Sequence, residues 1–305
     1  MKKYTAVILA LALAVLSVFM LSACGNDDKI IKADPDTIAF NIDEGISKLF
    51  EFSDFRIESI TESSVSSDEP DFDASGMNDK LFVECSFKNR NTDDFIVKYI
   101  YSGNMFGSLG VGSSSADEDS NNTLMIFTNS GYYLSVEPYE KYGFYELSSE
   151  DSKSMAELMS IDFDSLFEDE VDSGLFEYAK VIEHKDGSIT VECNLKKDEV
   201  MKVCKTGVEQ TLDYLDLSDG EVSDTSALYI FDLTKDGTIS RVKIKSSVKV
   251  LYNVGGKTYH CDYNDSIILT VTDVGGDIKI DIPDENKTMP MDEYYKELYG
   301  IVYGG

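Results

Sequence analysis

Apolar residues recur at helical spacing in three segments of the chain. Residues 37–52 place isoleucines and a leucine on one face, although Gly45 interrupts the pattern. Residues 149–167 begin with a capping signature and continue with a looser stripe. The most regular stripe lies in residues 198–215 and includes Val200, Val203, Val208 and Leu212. The spacing predicts three helices, each packing one apolar face against a core.

Alternating apolar and polar residues mark much of the remaining chain. In the first half they predict strands at residues 55–62, 81–88, 95–101, 123–127 and 132–136. In the second half they predict strands at residues 176–183, 188–195, 227–233, 239–250, 259–272 and 277–282. Loops are expected at the Ser- and Asp-rich residues 63–79 and 109–122. Short Gly-containing turns join many of the strands, which indicates an antiparallel meander.

The predicted fold class is α+β, with a curved antiparallel β-sheet packed on α-helices. The strand at 239–250 has two different faces, because lysines and an arginine alternate with its apolar residues. We expect these cations to pair with carboxylates, with an anion site as the alternative. The inward residues are predicted core and equally candidates to line a ligand cavity: Val242, Ile244, Val248, Val250, Ile278 and Ile280.

The N-terminal residues form a secretory signal. Lys2 and Lys3 precede an apolar run, Ala6 to Leu21, that is shorter than the ~20 residues a membrane-spanning helix needs. The order Leu-Ser-Ala-Cys-Gly at 21–25 resembles the lipobox of bacterial lipoproteins. That resemblance implies diacylglyceryl transfer to Cys24 and cleavage before it. An uncleaved anchor and a cleaved signal without lipid are the alternatives.

The sequence suggests four parts. Residues 1–23 are the predicted signal peptide, and 24–36 the lipidated cysteine with a flexible tether, because few apolar residues are present there. Residues 37–285 are the predicted body, with an N-terminal half at 37–150, a helical link at 151–173 and a C-terminal half at 174–285. Residues 286–305 are expected to be a tail with a short helix. The expected location is the extracytoplasmic face of the cell membrane.

Charge and composition exclude some partners. The chain carries 27 basic and 57 acidic residues, a formal net charge of -30. This charge argues against binding to nucleic acid and against broad electrostatic binding to anionic lipid. The absence of Trp makes a carbohydrate-stacking face less favoured. A hydrophobic content of 42% is sufficient for a globular core.

Cysteines other than Cys24 lie at positions 85, 193, 204 and 261. Four cysteines outside the cytoplasm permit two disulfides with three pairings. Their apolar neighbours favour buried free thiols instead. No pair has the spacing of a metal or redox motif.

Candidate chemistry is sparse. Asp232-x-Thr234-x-Asp236-Gly237 imitates the start of an EF-hand loop, but the twelfth position is Lys243 where the motif needs Glu. A second acidic run, 117–121, fails similarly, and a weak calcium site is its alternative interpretation. His184 and His260 are the only histidines and have no recognisable catalytic partners. The sequence therefore predicts no catalytic residue, metal or cofactor.

The second half resembles LolA/LppX-like bacterial lipoproteins. The resemblance rests on the helix at 198–215, the strands at 227–233, 239–250 and 259–272, and the closing Asp-Ile-Lys-Ile-Asp-Ile-Pro at 277–283. It covers residues 174–285 and, more loosely, 37–147. It implies a half-barrel closed by helices over an apolar cavity, and some members of that family carry or bind lipids or lipoproteins.

Two functions follow from these observations. The first is a membrane-anchored, non-enzymatic lipoprotein that binds an apolar or amphipathic ligand or another envelope component. The alternative is a structural or protein-interaction lipoprotein without a small ligand, with tyrosines between 132 and 145 as its contact face. An envelope hydrolase is the least favoured interpretation, and the oligomeric state is left open.

Overall fold

Thirteen strands form one open sheet. The computed structural model describes residues 29–31, 35–72, 79–102, 122–137, 139–159, 174, 176–200 and 220–303. The strands are β1 Lys29–Ile31, β2 Phe55–Ser67, β3 Asp79–Lys88, β4 Ile96–Ser102, β5 Asn122–Thr128, β6 Gly131–Val136, β7 Tyr142–Glu146, β8 Phe176–Glu183, β9 Ile189–Leu195, β10 Glu221–Leu233, β11 Ile239–Val254, β12 Lys257–Thr272 and β13 Thr288–Pro290. The helices are α1 Pro35–Glu51, α2 Ser149–Met159 and α3 Met291–Tyr303.

The sheet consists of two meanders joined along one seam. Its strand order is β1-β8-β9-β10-β11-β12-β2-β3-β4-β5-β6-β7-β13. Strands β2 to β7 form one meander and β8 to β12 the other, and β12 pairs antiparallel with β2 from Cys261↔Ser67 to Thr272↔Arg56. Only the short β7–β13 pair at one edge is parallel. The coarse prediction of an α+β protein dominated by an antiparallel sheet is confirmed.

Helices α1, α2 and α3 pack on the same face of the sheet, which we call the inner face. The register connects Val271, Ile57, Cys85, Tyr99 and the strands beyond them as neighbours on this face. Helix α1 buries five side chains in the same cluster: Ile38, Ala39, Ile42, Ile46 and Leu49. Helix α3 packs against β6 through a second cluster that includes Leu134, Tyr294 and Leu298. The opposite, outer face has no described helix over it.

Several predicted strands are longer in the structure. The predicted loop at 63–79 is wrong at its start, because β2 continues to Ser67. Serine has little preference for strands, but β12 offers a ladder partner for each residue of this segment. Val65 also continues the buried alternation, with 4% of its surface exposed. The pairing partner, and not the local sequence, therefore sets the end of this strand.

The prediction of a strand at residues 277–282 is wrong. The structure has no strand there: residues 277–284 are irregular, and Ile278 is buried while Ile280 is half-buried. A strand following β12 needs a free edge beside it, but β11 occupies one side of β12 and β2 the other. The segment instead leads to β13 beside β7. Ile278 and Ile280 are therefore not inward positions of a strand.

The two ends of the body also differ from expectation. Part of the predicted flexible tether is ordered, since Lys29–Ile31 pair with β8 although Ile30 is 65% exposed. Backbone hydrogen bonds to the sheet edge order this segment. The C-terminal residues contain a helix, α3, as expected, but they also add β13 and the fully buried Tyr294 to the body.

Some predictions lie outside the described residues. Cys24 and the signal segment belong to this group, as do Cys204, the acidic run at 117–121, and most of the predicted helix at 198–215. Residues 197–200 are helical, and Val200 is fully buried. Among the helices that the structure describes, none has the length and apolar character needed to cross a bilayer.

The described cysteines are buried. Cys85, Cys193 and Cys261 form no disulfide with one another, and Cys193 and Cys261 are free thiols. Burial raises the pKa of the Cys193 thiol to about 12 and that of Cys261 to about 11. Both thiols are therefore protonated at neutral pH and behave as small apolar side chains.

Gly45 allows α1 to approach the turn between β10 and β11. A Cβ atom at this position would lie 3.0 Å from the Gly237 carbonyl oxygen and 3.0 Å from Leu233 Cδ2. A larger residue would push the helix away from the sheet. The glycine that weakens the sequence-based helix prediction is thus required by packing.

We predict that Gly45→Leu destabilises the protein by about 1–3 kcal/mol, because overpacking outweighs the gain in helix propensity. Gly300→Leu in α3 is the matched control, since no atom lies within 4 Å of a Cβ built there. Urea unfolding measures both. Equal stability of the two variants would contradict the packing role of Gly45.

Candidate functional site

The outer face of the C-terminal meander is polar and carries two grooves. Its basic residues behave partly as expected: Arg241 Nε lies 2.7 Å from Asp232 Oδ2. Lys245, in contrast, is exposed and has no ion pair with a described residue. The predicted pairing of this basic stripe is therefore confirmed at Arg241 and wrong at Lys245.

The first groove, which we call the serine groove, has a volume of about 530 Å³. Two rows of side chains in register across the strands form its walls. One row is Glu62, Ser266, Lys245, Leu228 and Asn194, and the other is Ser64, Asn264, Ser247 and Ser226. Small serine side chains leave the space between the rows open.

Hydroxyl, amide and ammonium groups converge in the serine groove. Serine hydroxyls donate and accept hydrogen bonds, and the Asn amides do both as well. Lys245 adds a single cation near the middle of one row, and Glu62 an anion at its end, where Lys80 lies 2.8 Å away. This set of groups suits a polar ligand that carries both donors and acceptors.

The second groove, the turn groove, lies where the β8–β9 and β10–β11 turns meet the outer face. Its volume is about 640 Å³, and its lining includes His184, Ser188, Thr190, Asp232, Lys235 and Arg241. The two turns share a sequence pattern, Lys-Asp-Gly-Ser-Ile-Thr at 185–190 and Lys-Asp-Gly-Thr-Ile-Ser at 235–240. Gly187 and Gly237 adopt positive φ angles of 84° and 80°, as these turns require. The segment 232–237, which resembles the start of an EF-hand loop, is accordingly the end of β10 and the hairpin turn that follows it.

A chain of hydrogen bonds crosses the turn groove. Thr190 Oγ1 donates to Asp232 Oδ1 at 2.6 Å, and His184 Nε2 lies 2.9 Å from the same hydroxyl. Because the threonine proton is used on the carboxylate, His184 Nε2 must be the donor in its contact. Arg241 completes the chain on the other carboxylate oxygen.

This order differs from a nucleophilic triad. In such triads the histidine lies between the hydroxyl and the carboxylate and accepts the hydroxyl proton. Here Thr190 lies between His184 and Asp232, and His184 already donates to it. The chain therefore fixes polar side chains in place and does not activate Thr190 as a nucleophile.

His260 also has a partner that the sequence did not reveal. Its Nδ1 lies 3.0 Å from Asp68 Oδ2, and its backbone N–H donates to Asp68 Oδ1 at 2.7 Å. These hydrogen bonds, the backbone one foremost, lower the pKa of the Asp68 carboxyl. Cys261 is buried on the inner face, whereas His260 is exposed, because successive strand residues point to opposite faces. The two residues therefore do not form a Cys–His pair.

The structure places the predicted cavity residues in a close-packed core. Val242, Ile244, Val248 and Val250 expose 5% of their surface or less. A side chain that lines a ligand-sized cavity exposes surface to it, so these four are packing residues. Their inward orientation is confirmed.

Thr190 and its pairing with Asp232 were missed by sequence reasoning, because the two residues come together only across β9 and β10. The repeated Lys-Asp-Gly turn could have indicated this pairing. Two similar neighbouring hairpins bring together the outer-face residues that lie next to their turns. Among the described residues no cluster of three or more potential metal ligands occurs.

No protein-family model matches the chain, and no curated protein sequence matches it either. The fold and the grooves therefore have to be interpreted from their own chemistry.

We predict that Thr190→Val lowers the free energy of unfolding by about 1 kcal/mol or more, since it removes the donor to Asp232 while keeping the side-chain shape. Thr190→Ser retains the hydroxyl and should remain close to the wild type. Urea unfolding of the two variants tests this. If valine is tolerated as well as serine, the hydrogen-bond chain does not contribute to stability.

Proposed function

We propose that the protein is a membrane-anchored, extracytoplasmic lipoprotein without enzymatic activity, which binds a polar envelope component through the outer face of its sheet. The lipobox-like residues 21–25 support the anchor and its location. The resemblance to LolA/LppX-like lipoproteins, with a curved half-barrel sheet, remains a prediction within this proposal.

The polar outer face is the observation that favours this kind of ligand. The inner residues proposed from sequence as an apolar lining are close-packed, whereas both grooves on the outer face are lined mainly by hydroxyl, amide and charged groups. Burying such groups against an apolar ligand would leave their hydrogen bonds unmade. A polar surface of another envelope molecule, such as a protein partner, satisfies them.

The absence of enzymatic activity is proposed from the groups in the grooves. The turn groove has the histidine and carboxylate of a hydrolase, but their order leaves Thr190 without a base. The serine groove has Lys245, which has no ion pair with a described residue, but no described His lines it. Neither arrangement provides an activated nucleophile.

We expect Cys24→Ala to move the protein from the membrane fraction to the soluble fraction, because each acyl chain contributes roughly 0.8 kcal/mol per buried methylene. Fractionation and immunoblotting measure the shift, with Cys193→Ala as the control that keeps the lipobox. Retention of the Cys24→Ala variant in the membrane would show that another element anchors the chain.

We also expect the Cys24→Ala protein to purify without bound lipid. Native mass spectrometry should give the mass of the polypeptide alone, because the core side chains facing the helices are close-packed. A lipid adduct that survives gentle desolvation would instead favour an apolar cavity and overturn the polar-ligand proposal.

A further inference from the structure

The register of β1 shows where the chain enters the sheet. Lys29 pairs with Glu183 and Ile31 with Val181, so the N-terminal end of β1 lies at the C-terminal end of β8. The β8–β9 turn begins at the next residue, His184. Lys29, where the described part of the chain enters the sheet, therefore lies beside this turn.

Two turns form this end of the sheet together. A Cβ atom built on Gly187 would lie 3.5 Å from Lys235 Cβ, so the β8–β9 and β10–β11 turns are in contact. Lys185, Asp186, Lys235 and Asp236 at their tips are all exposed. We call residues 185–187 and 235–237 the paired turns.

Only four residues, 25–28, separate the proposed lipidation site from the sheet. Cys24 and Lys29 are at most about 18 Å apart even if the intervening chain is fully extended. If the lipid on Cys24 is inserted in the bilayer, Lys29 lies within about this distance of the headgroups, and the β8–β9 turn lies at the same end of the sheet. A tether of this length restricts how far the body can move from the bilayer and which end of the body faces the bilayer.

The charge of the paired turns permits them to approach the membrane surface. Around the paired turns the cations balance the anions, with Lys48 2.8 Å from Glu44 and Arg241 2.7 Å from Asp232. The tips carry one lysine and one aspartate each. The paired turns are therefore neutral in a chain whose net charge is -30, so an anionic membrane surface repels them less than it repels the acidic remainder of the molecule, which includes Asp27 and Asp28 before Lys29.

We infer that the paired turns are the membrane-facing end of the protein and contact phospholipid headgroups through Lys185 and Lys235. This inference rests on the proposed lipid anchor at Cys24 and adds the orientation of the body. It also places the turn groove, which contains Lys235, beside the headgroup layer.

The opposite end of the sheet then lies far from the bilayer. Strand β11 contains 16 residues and leads from the paired turns to the turn at Gly255 and Gly256, a distance of about 50 Å. Lys257 is exposed at that far end. It offers a matched position for comparison with Lys235, because both are exposed lysines next to a hairpin turn.

The test uses full-length, lipidated protein in vesicles of phosphatidylcholine and phosphatidylglycerol. Lys235→Cys and Lys257→Cys are each labelled with a fluorophore, and a nitroxide on the lipid headgroups serves as the quencher. The unsubstituted protein, labelled in the same way, gives the background. We expect loss of most fluorescence at position 235 and little loss at position 257.

A variant with a longer tether tests the orientation of the body independently of the lipid anchor. A flexible Gly-Ser segment inserted before Lys29 should restore fluorescence at position 235 while the protein stays in the vesicle fraction. Equal quenching at the two positions, or quenching unaffected by the insertion, would overturn the orientation and leave the anchor intact. If the lipidated protein does not remain with vesicles, the anchor itself is wrong.

Discussion

The pairing of β12 with β2 is the constraint on which the rest of the structure depends. Twelve residue pairs join strands that lie about 200 positions apart in the chain, and they unite two meanders into one sheet. Without this seam, β12 and β2 would each be an open edge strand of its meander, with unpaired N–H and C=O groups. The seam also aligns the inner faces of the two meanders, so one continuous core cluster spans both.

The same seam determines the positions of the terminal segments. Because β12 has neighbours on both sides, the chain after Thr272 cannot add another strand there, and it pairs beside β7 instead. The N-terminal strand similarly adds to β8 at the other edge. With all described helices on the inner face, the outer face remains open and carries the two polar grooves. The functional proposal follows from this asymmetry.

Local patterns predicted the strands well and their long-range partners poorly. The alternation at 81–88 and the turn residues around Gly187 and Gly237 identify strands and hairpins because those signals depend on neighbouring residues. The end of β2 at Ser67 depends on β12, and the loss of a strand at 277–282 depends on β2, which the local sequence does not encode. Val242 and Val248 were recognised as inward, but close packing around them is a property of the whole core. The contact of Thr190 with Asp232 required the register of β9 and β10.

The proposed lipid anchor can be tested most directly at the N-terminus of the mature protein. Mass spectrometry of the N-terminal proteolytic peptide from membrane-extracted protein determines both the cleavage site and the modification. The account predicts a peptide that begins at Cys24 and carries a diacylglyceryl group. A peptide that begins at Met1, or an unmodified Cys24, would contradict it.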